Sequence, residues 1–181
     1  MMNDQETWKV FLKKYRGLLV LLGLAIVSGT FYATYQCKQQ MVDWGALGRY
    51  LESDHHKKDA NGYKYLESFW GYYYKFLVIW ILGEVRYLLP LALSATFFNV
   101  LAYSYVMVCI YIYYGVYGLL INMKLFVFQG VILNAMLVRL NLYQIKKYET
   151  FGEKDTSLKW RYLVEGAIGS ILIASIEKLF I

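Results

Sequence analysis

The sequence predicts an all-α, polytopic integral membrane helix bundle, and two observations carry that prediction. Hydrophobic residues make up 59% of the 181-residue chain, above the 45–50% or so of ordinary soluble domains, and the mean hydropathy is +0.36. The excess is concentrated in uncharged runs of 19 residues over 17–35 and 37 residues over 87–123. Because a helix of 19 residues crosses a hydrocarbon core of about 30 Å, these runs indicate membrane-spanning helices.

The apolar runs and their flanks predict a single membrane domain with five spans, over residues 17–36, 69–93, 95–119, 120–141 and 160–179. The first run is longer than the apolar core of a secretory signal peptide, so we interpret it as a retained anchor. Residues 69–140 fit three tilted helices or four short ones. The polar segments 37–68 and 142–159 are the predicted loops.

Basic residues flank the first and the last span, and they predict the orientation. They are Lys9, Lys13, Lys14 and Arg16 before the first span, and Arg139, Lys146, Lys147, Lys154, Lys159 and Arg161 before the last. Because cytoplasmic flanks are enriched in Lys and Arg, we expect a cytoplasmic N-terminus, an extracytoplasmic loop 37–68 and a cytoplasmic loop 142–159. Six spans would place the basic segment outside. The net charge of +6 therefore predicts membrane lipid rather than nucleic acid as a partner.

Two charges interrupt the apolar sequence at Glu84 and Arg86, shortly before the chain's only proline, Pro90. Two residues apart, they point to different sides of a helix and cannot neutralise each other along one face. Either Glu84-Val85-Arg86 ends a short helix at the inner membrane edge, or it lies at depth in a broken helix that faces other helices. In the second case, Arg86 would meet a carboxylate of the last span.

The carboxylates of that last span are Glu165 and Glu177. Each lies near one end of the span, where a partner of the opposite charge reduces the cost of its burial. We therefore count Glu177, with Glu84, Arg86 and Pro90, among the candidate structural or partner-contact residues.

The sequence shows no constellation for catalysis, cofactor binding or metal binding. It contains no metalloprotease, nucleophile-elbow or phosphate-loop motif. The two histidines, His55 and His56, are adjacent in a polar loop and make a poor metal pair. We therefore predict a protein that is not an enzyme and that needs no cofactor.

The two cysteines are predicted to be small apolar fillers. Cys37 follows the first span, whereas Cys109 falls inside an apolar run. A disulfide requires both residues at a similar depth, which these positions argue against.

Small and aromatic residues mark the middle of the long apolar run. Gly115 and Gly118, three residues apart, indicate a narrow notch or a helix boundary rather than a G-x-x-x-G motif. We count both among the candidate structural or partner-contact residues. Tyr103, Tyr114 and Tyr117 are predicted to share one helix face, where they either line a polar cavity or pack inside the bundle.

Several short motifs, in order along the whole chain, resemble the stage II sporulation protein M family. The sequence I-W-I-L-G over 79–83, followed by Pro90, resembles a pattern of the family's second span, and Y-G-V-Y-G-L-L over 114–120 resembles a second motif. Phe128-Gln129, Ser28-Gly29 and Ser175-Ile176-Glu177 resemble further positions. The family's glycine-rich stretch after the proline is replaced by T-F-F-N-V-L-A-Y-S-Y, so the chain resembles a divergent member.

The resemblance implies a role rather than a reaction. In the sporulation branch, the family is a membrane scaffold of the septum that recruits two peptidoglycan-hydrolysing proteins, stage II sporulation proteins D and P, for engulfment of the forespore. A non-sporulation branch is associated with membrane export systems. The alternative function is a small membrane transporter, channel or export-system accessory protein, suggested by the charges near Pro90 and by the tyrosines.

Overall fold

The computed structural model describes residues 15–45, 63–123, 127–149 and 156–180, and every regular element in these ranges is helical. The six α-helices are α1 (Arg16–Lys38), α2 (Tyr63–Glu84), α3 (Leu89–Tyr114), α4 (Val116–Asn122), α5 (Phe128–Glu149) and α6 (Thr156–Phe180). A short 3₁₀ turn, Arg86–Leu88, joins α2 to α3. The prediction of an all-α fold is confirmed.

The five long helices alternate in direction along the chain. Helix α5 runs antiparallel to α3, because Asn134 bonds Asn99 at 2.9 Å while Asn141 further along bonds Thr96. It runs parallel to α2, because Gln129 accepts a hydrogen bond from Tyr72 while Gln144, further along α5, bonds Ile79, further along α2. Helices α2 and α3 therefore form an antiparallel hairpin.

Helices α1 and α6 continue the alternation. Helix α6 is antiparallel to α2, since Tyr65 contacts Ser175 while Phe76, further along α2, contacts Gly166. Helix α1 is parallel to α3, as its contacts described below show. A chain whose successive long helices reverse direction has the connectivity that an up-and-down bundle requires.

The core lies where α2, α3, α5 and α6 meet. Its buried apolar side chains are Phe76, Ile79, Ala92, Leu133, Leu137, Leu140 and Ile173. On α5, the spacing of Leu133, Leu137 and Leu140 places one stripe of leucines against the neighbouring helices. This stripe holds α5 at the centre of the bundle.

Helix α1 attaches to the bundle mainly through α3, along a stripe of small residues. Ala25, Gly29, Ala33 and Cys37 are spaced four residues apart, and Ala25, Gly29 and Ala33 are buried. A side-chain carbon added at Gly29 would lie 2.6 Å from the carbonyl oxygen of Leu101. The interface therefore depends on small side chains, as in membrane helix pairs that pack closely.

Two described segments are long and apolar enough to cross a membrane: α1, and Arg86–Tyr114, which comprises the 3₁₀ turn and α3. In each, only 22% of the most apolar window is buried inside the fold. A core helix of a soluble protein buries most of its large apolar side chains. The outward-facing apolar residues of these two segments therefore favour association with a membrane.

The helix boundaries differ from the bounds of the predicted spans. The predicted span 69–93 contains the end of α2 at Glu84 and the start of α3 at Leu89, and the predicted span 95–119 contains a second break at Gly115. Helix α5 continues to Glu149, so residues 142–149 of the predicted loop 142–159 are helical, as are residues 63–68 of the loop 37–68. The remainder of both loops, including His55 and His56, lies largely outside the described residues. The hydropathy of the sequence did not indicate the helix ends at Glu84 and Tyr114, because apolar residues continue through both turns.

The small-residue stripe of α1 makes a direct prediction about Gly29. Gly29→Leu should destabilise the packing of α1 on α3 by about 1–3 kcal/mol, because the new side chain would meet the backbone of Leu101. Gly23→Leu is the matched control, since a side-chain carbon at Gly23 meets no atom within 4 Å. The melting temperature of the protein in detergent, monitored by size-exclusion chromatography of heated samples, should fall for Gly29→Leu alone. Equal losses for both variants would contradict this interface.

Candidate functional site at the helix turn

The turn between α2 and α3 brings together three residues that the sequence singled out. Helix α2 ends at Glu84, Val85 is extended with φ −105° and ψ 120°, and Arg86 begins the 3₁₀ turn. Pro90 lies in the first turn of α3, where its missing N–H needs no helical partner and its fixed φ suits the helix. Of the two arrangements that the sequence left open, the structure has the helix end at one end of the bundle.

The carbonyl of Arg86, to which Pro90 has no N–H to donate, accepts a hydrogen bond from the backbone N–H of Leu89. The 3₁₀ turn thus supplies the bond that the proline cannot supply. Arg86 itself is exposed, and Tyr87 beside it is 90% exposed. The turn therefore points its side chains away from the bundle.

Polar side chains of α5 hold the end of α2 in place. Gln144 is fully buried, and its Nε2 donates to the carbonyls of Ile79 at 3.2 Å and Trp80 at 3.3 Å. The hydroxyl of Tyr148 donates to the carbonyl of Gly83 at 2.9 Å. The carbonyl of Gly83 is one of the last four of α2, which lack partners within the helix, and burying such a group without a partner costs about 1–3 kcal/mol. The carbonyls of Ile79 and Trp80 lie one turn earlier and accept from Gln144 in addition to their helical bonds. We call Gln144, Lys147 and Tyr148 the α5 clamp.

The third member of the α5 clamp forms an ion pair with the end of α2. Lys147 Nζ lies 2.9 Å from Glu84 Oε2, and both side chains are largely buried, at 24% and 19% exposure. Removing one partner of such a pair leaves a charge that is expensive to bury. The carboxylate that stands out in the apolar sequence is thus held by a lysine 63 residues later.

The environment of the α5 clamp changes the acidity of Tyr148, which lies in the predicted cytoplasmic loop 142–159. Burial raises the pKa of the Tyr148 phenol above its usual value, and the negative charge of Glu84 raises this pKa further. The positive charge of Arg86 acts in the opposite direction. The phenol therefore stays neutral and continues to donate its proton to the Gly83 carbonyl over a wider pH range.

The carboxylates that were expected to meet Arg86 have other partners. Glu165 accepts contacts from Arg139 at 3.4 Å and from Arg161 at 3.2 Å, beside a cavity of about 370 Å³ between α5 and α6. Glu177 accepts a hydrogen bond from Tyr72. Since Tyr72 precedes Glu84 by twelve residues, or about 18 Å of helix, Glu177 lies toward the opposite end of the bundle. The structure thus does not bring Glu177 together with the turn.

The two candidate glycines lie at a second turn, at the end of the bundle opposite Glu84. Gly115 separates α3 from α4 and has φ +59°, a conformation that favours glycine. Gly118 is buried against α3, where a side-chain carbon would lie 2.5 Å from the carbonyl oxygen of Ile110. Asn122 then donates to the carbonyl of Met107 at 2.8 Å. Helix α4 therefore folds back along α3.

This reversal corrects the predicted tyrosine stripe. Tyr103 and Tyr114 belong to α3, whereas Tyr117 belongs to α4, which runs back in the other direction. Tyr103 packs against the core and over Gly130, while Tyr117 is 65% exposed. The three tyrosines therefore do not share one face, because a single continuous helix does not extend from 103 to 117.

The α5 clamp was not predicted, although the sequence of α5 contains a pattern that indicates it. The inner stripe of α5 passes from Leu133 and Leu137 through Leu140 to Asn141 and Gln144 at the same helical spacing. A buried stripe that changes from apolar to polar predicts hydrogen bonds to a neighbouring helix. The partner could not be identified from sequence, because the acceptors are backbone carbonyls.

Comparisons with protein-family models, with curated proteins and with solved structures found no match to this chain. Within the described ranges, no three His, Cys, Asp or Glu side chains gather in a group that could hold a metal ion. The contacts described at the turn consist of carbonyl acceptors, amide and hydroxyl donors, and one ion pair.

The Glu84–Lys147 pair makes a prediction that a double-mutant cycle can check. Lys147→Met and Glu84→Gln should each lower the thermal stability of the purified protein, because each leaves its partner without the opposite charge. The double variant should lose less than the sum, with a coupling of about 0.5–3 kcal/mol. Additive losses would contradict a direct ion pair.

Tyr148 makes a prediction about alkaline pH. Because its pKa is raised in the folded protein, its stabilising contribution is fully present below the usual value of about 10 and is lost as pH rises through the raised value. Wild type should therefore exceed Tyr148→Phe in thermal stability at pH 8, and the difference should shrink above pH 10. A difference that stays constant from pH 8 to 11 would refute this assignment.

Proposed function

We propose that the chain is a five-span membrane protein that acts as a non-enzymatic scaffold and recruits peptidoglycan hydrolases to the sporulation septum. The process and the two partners, stage II sporulation proteins D and P, rest on the family resemblance of the motifs around Trp80, Pro90 and Gly118. The membrane placement rests on helix direction and on charge. Each part is supported by a separate observation.

The alternating helix directions support five spans with a cytoplasmic N-terminus. The contacts of α1, α5 and α6 put Arg16, Lys147 and Arg161 at the same end of the bundle as the turn at Arg86. A common end for these basic residues is what the positive-inside rule requires of a cytoplasmic face. In this arrangement, the α5 clamp lies at the inner membrane edge and the Gly115 turn lies at the outer edge.

The observation that carries the scaffold proposal is the use of polar side chains inside the bundle. Asn99 bonds Asn134, Asn141 bonds Thr96, and Gln144 bonds the backbone of α2. These amides are used to join helices, as interhelical hydrogen bonds do in membrane bundles. A bundle fixed in this way holds its outer segments in a constant position, which is the property that a recruiting surface needs.

The segment between α1 and α2 is the proposed recruiting surface. It comprises residues 39–62, on the extracytoplasmic side in this topology, where peptidoglycan hydrolases act. Its described beginning is attached to the bundle, because the Trp44 ring stacks on Tyr113 of α3 with a centroid distance of 4.8 Å. The charged residues that follow in the sequence supply polar contacts for a partner protein.

The same geometry gives less support to the transporter alternative. Glu84 is engaged by Lys147 at the end of the bundle, and Arg86 is exposed in the turn. Tyr117 lies on a different helix from Tyr103. The residues that suggested a polar path through the membrane therefore serve helix ends and turns.

The proposal is tested in a deletion strain of a sporulating host, complemented with wild type or with a variant in which residues 48–61 are replaced by a Gly/Ser linker of equal length. Without the protein, septa should form but the larger compartment should fail to wrap the smaller one, as seen with a membrane dye. The linker variant should accumulate normally, yet fail to co-purify the two hydrolases and fail to restore engulfment. Normal engulfment in the deletion strain, or cleavage of peptidoglycan by the purified protein alone, would contradict the proposal.

A further inference from the structure

The two cysteines, which we expected to lie at different depths, are in contact. The Sγ atoms of Cys37 on α1 and Cys109 on α3 are 3.7 Å apart, and both thiols are free. The expectation failed because it placed Cys109 in the middle of a span over 95–119, whereas α3 ends at Tyr114. Cys109 thus lies five residues before the end of α3, and Cys37 lies one residue before the end of α1.

We propose that Cys37 and Cys109 are an oxidation site, a dithiol that a disulfide carrier converts to an intramolecular disulfide joining α1 to α3. The chemical class of the co-reactant is a disulfide, either a small one or that of a thiol–disulfide oxidoreductase. This proposal does not involve the hydrolases or the recruiting surface. It concerns a covalent modification that neither helix packing nor scaffolding requires.

Contacts on either side of the two thiols keep the sulfur atoms next to each other. One turn before Cys109, the Tyr105 hydroxyl donates at 3.1 Å to Oε1 of Gln36, the residue next to Cys37. One turn after Cys109, the Tyr113 ring stacks on Trp44. Tyr105, Cys109 and Tyr113 lie four residues apart on one face of α3. Contacts on both sides of the thiols therefore hold this face against α1 and against Trp44, which follows α1.

Bond formation requires only a local movement. The sulfur atoms must approach from 3.7 Å to about 2.0 Å, which rotation about the side-chain bonds of two cysteines can supply. The small residues Gly29 and Ala33 keep the two helix backbones close along the preceding turns. The close backbone approach thus makes the cross-link compatible with the packing of α1 on α3.

The reaction is a pair of thiol–disulfide exchanges. Cys37 is partly exposed and Cys109 is buried, so the thiolate of Cys37 reacts first. It attacks one sulfur of the carrier disulfide, forms a mixed disulfide and releases one carrier thiolate. The Cys109 thiolate then attacks Cys37 Sγ and displaces the second carrier thiolate. The two protein thiols lose two electrons and two protons, and the carrier disulfide gains both to become a dithiol.

The position of the pair fits an oxidising compartment in the proposed topology. Helices α1 and α3 both run from the cytoplasmic to the extracytoplasmic side, so their ends at Lys38 and Tyr114 lie at the outer membrane edge. Structural disulfides form on that side of a cell membrane and are rare in the cytosol. The disulfide would connect residues 72 positions apart and prevent α1 from separating from the bundle.

The test uses the purified protein in lipid nanodiscs, treated with oxidised glutathione. The protein is then denatured, and its free thiols are labelled with a maleimide-polyethylene glycol reagent. Oxidised wild type should accept no adduct before reduction and two adducts after it, and its intact mass should be lower by two hydrogen atoms. Cys37→Ser and Cys109→Ser each leave one thiol, which should take up glutathione or one adduct but form no internal link. The oxidised wild type should also melt at a higher temperature than the reduced form, a shift absent from both variants.

Two adducts on wild type before reduction, or a stable glutathione adduct without internal closure, would overturn the proposal. The readout is a mass and a gel shift of the protein alone. A failure of hydrolase co-purification would therefore leave this inference intact, and a failure of disulfide closure would leave the scaffold proposal intact.

Discussion

The hydrogen bonds that α5 makes to the end of α2 are the interaction on which the rest of the bundle depends. A helix that ends inside a bundle exposes carbonyl groups, and in an apolar environment there is no water to bind them. Tyr148 binds one of these groups, the carbonyl of Gly83, while Gln144 binds the carbonyls of Ile79 and Trp80 one turn earlier. Lys147 neutralises the carboxylate of Glu84. Because this end is held, the chain can reverse within four residues and lay α3 antiparallel to α2.

The directions of the remaining helices follow from that reversal. Helix α5 lies parallel to α2 and antiparallel to α3, and its leucine stripe fills the space between α2, α3 and α6. The small residues of α1 allow it to pack on the free side of α3. One end of the bundle thus collects the polar clamp and the basic flanks, while the other collects the Gly115 turn, the cysteine pair and the segment proposed to bind partners.

Much of this arrangement is predictable from the sequence, and the parts that are not have identifiable physical causes. The all-α class follows from the long uncharged runs, and Glu84 and Pro90 correctly mark a break. The predicted span 69–93 includes this break because apolar residues continue on both sides of it. Hydropathy alone therefore does not reveal the turn. The same continuity concealed the reversal at Gly115, although the close pair Gly115 and Gly118 indicated a boundary.

The contacts across the bundle were not predictable in the same way. Gln144 binds backbone carbonyls, which have no sequence signature, and the partner of Glu84 lies 63 residues away. Cys37 and Cys109 meet only because α3 ends at Tyr114, a boundary that decides the depth of Cys109. Small errors in the predicted helix ends therefore led to large errors in the predicted contacts. The assignment of each element as a helix does not depend on where the helix ends.

In the proposed membrane bundle, the turn at residues 85–88 lies on the cytoplasmic side and the Gly115 turn lies on the other. Single cysteines at Tyr87, Met41 and Val116, which are exposed in the structure, can be introduced into a variant without Cys37 and Cys109 and treated with a membrane-impermeant maleimide. In this topology, Met41→Cys and Val116→Cys should be labelled in intact cells, and Tyr87→Cys only after the membrane is opened. Labelling of Tyr87→Cys in intact cells, or of all three positions from one side, would contradict it.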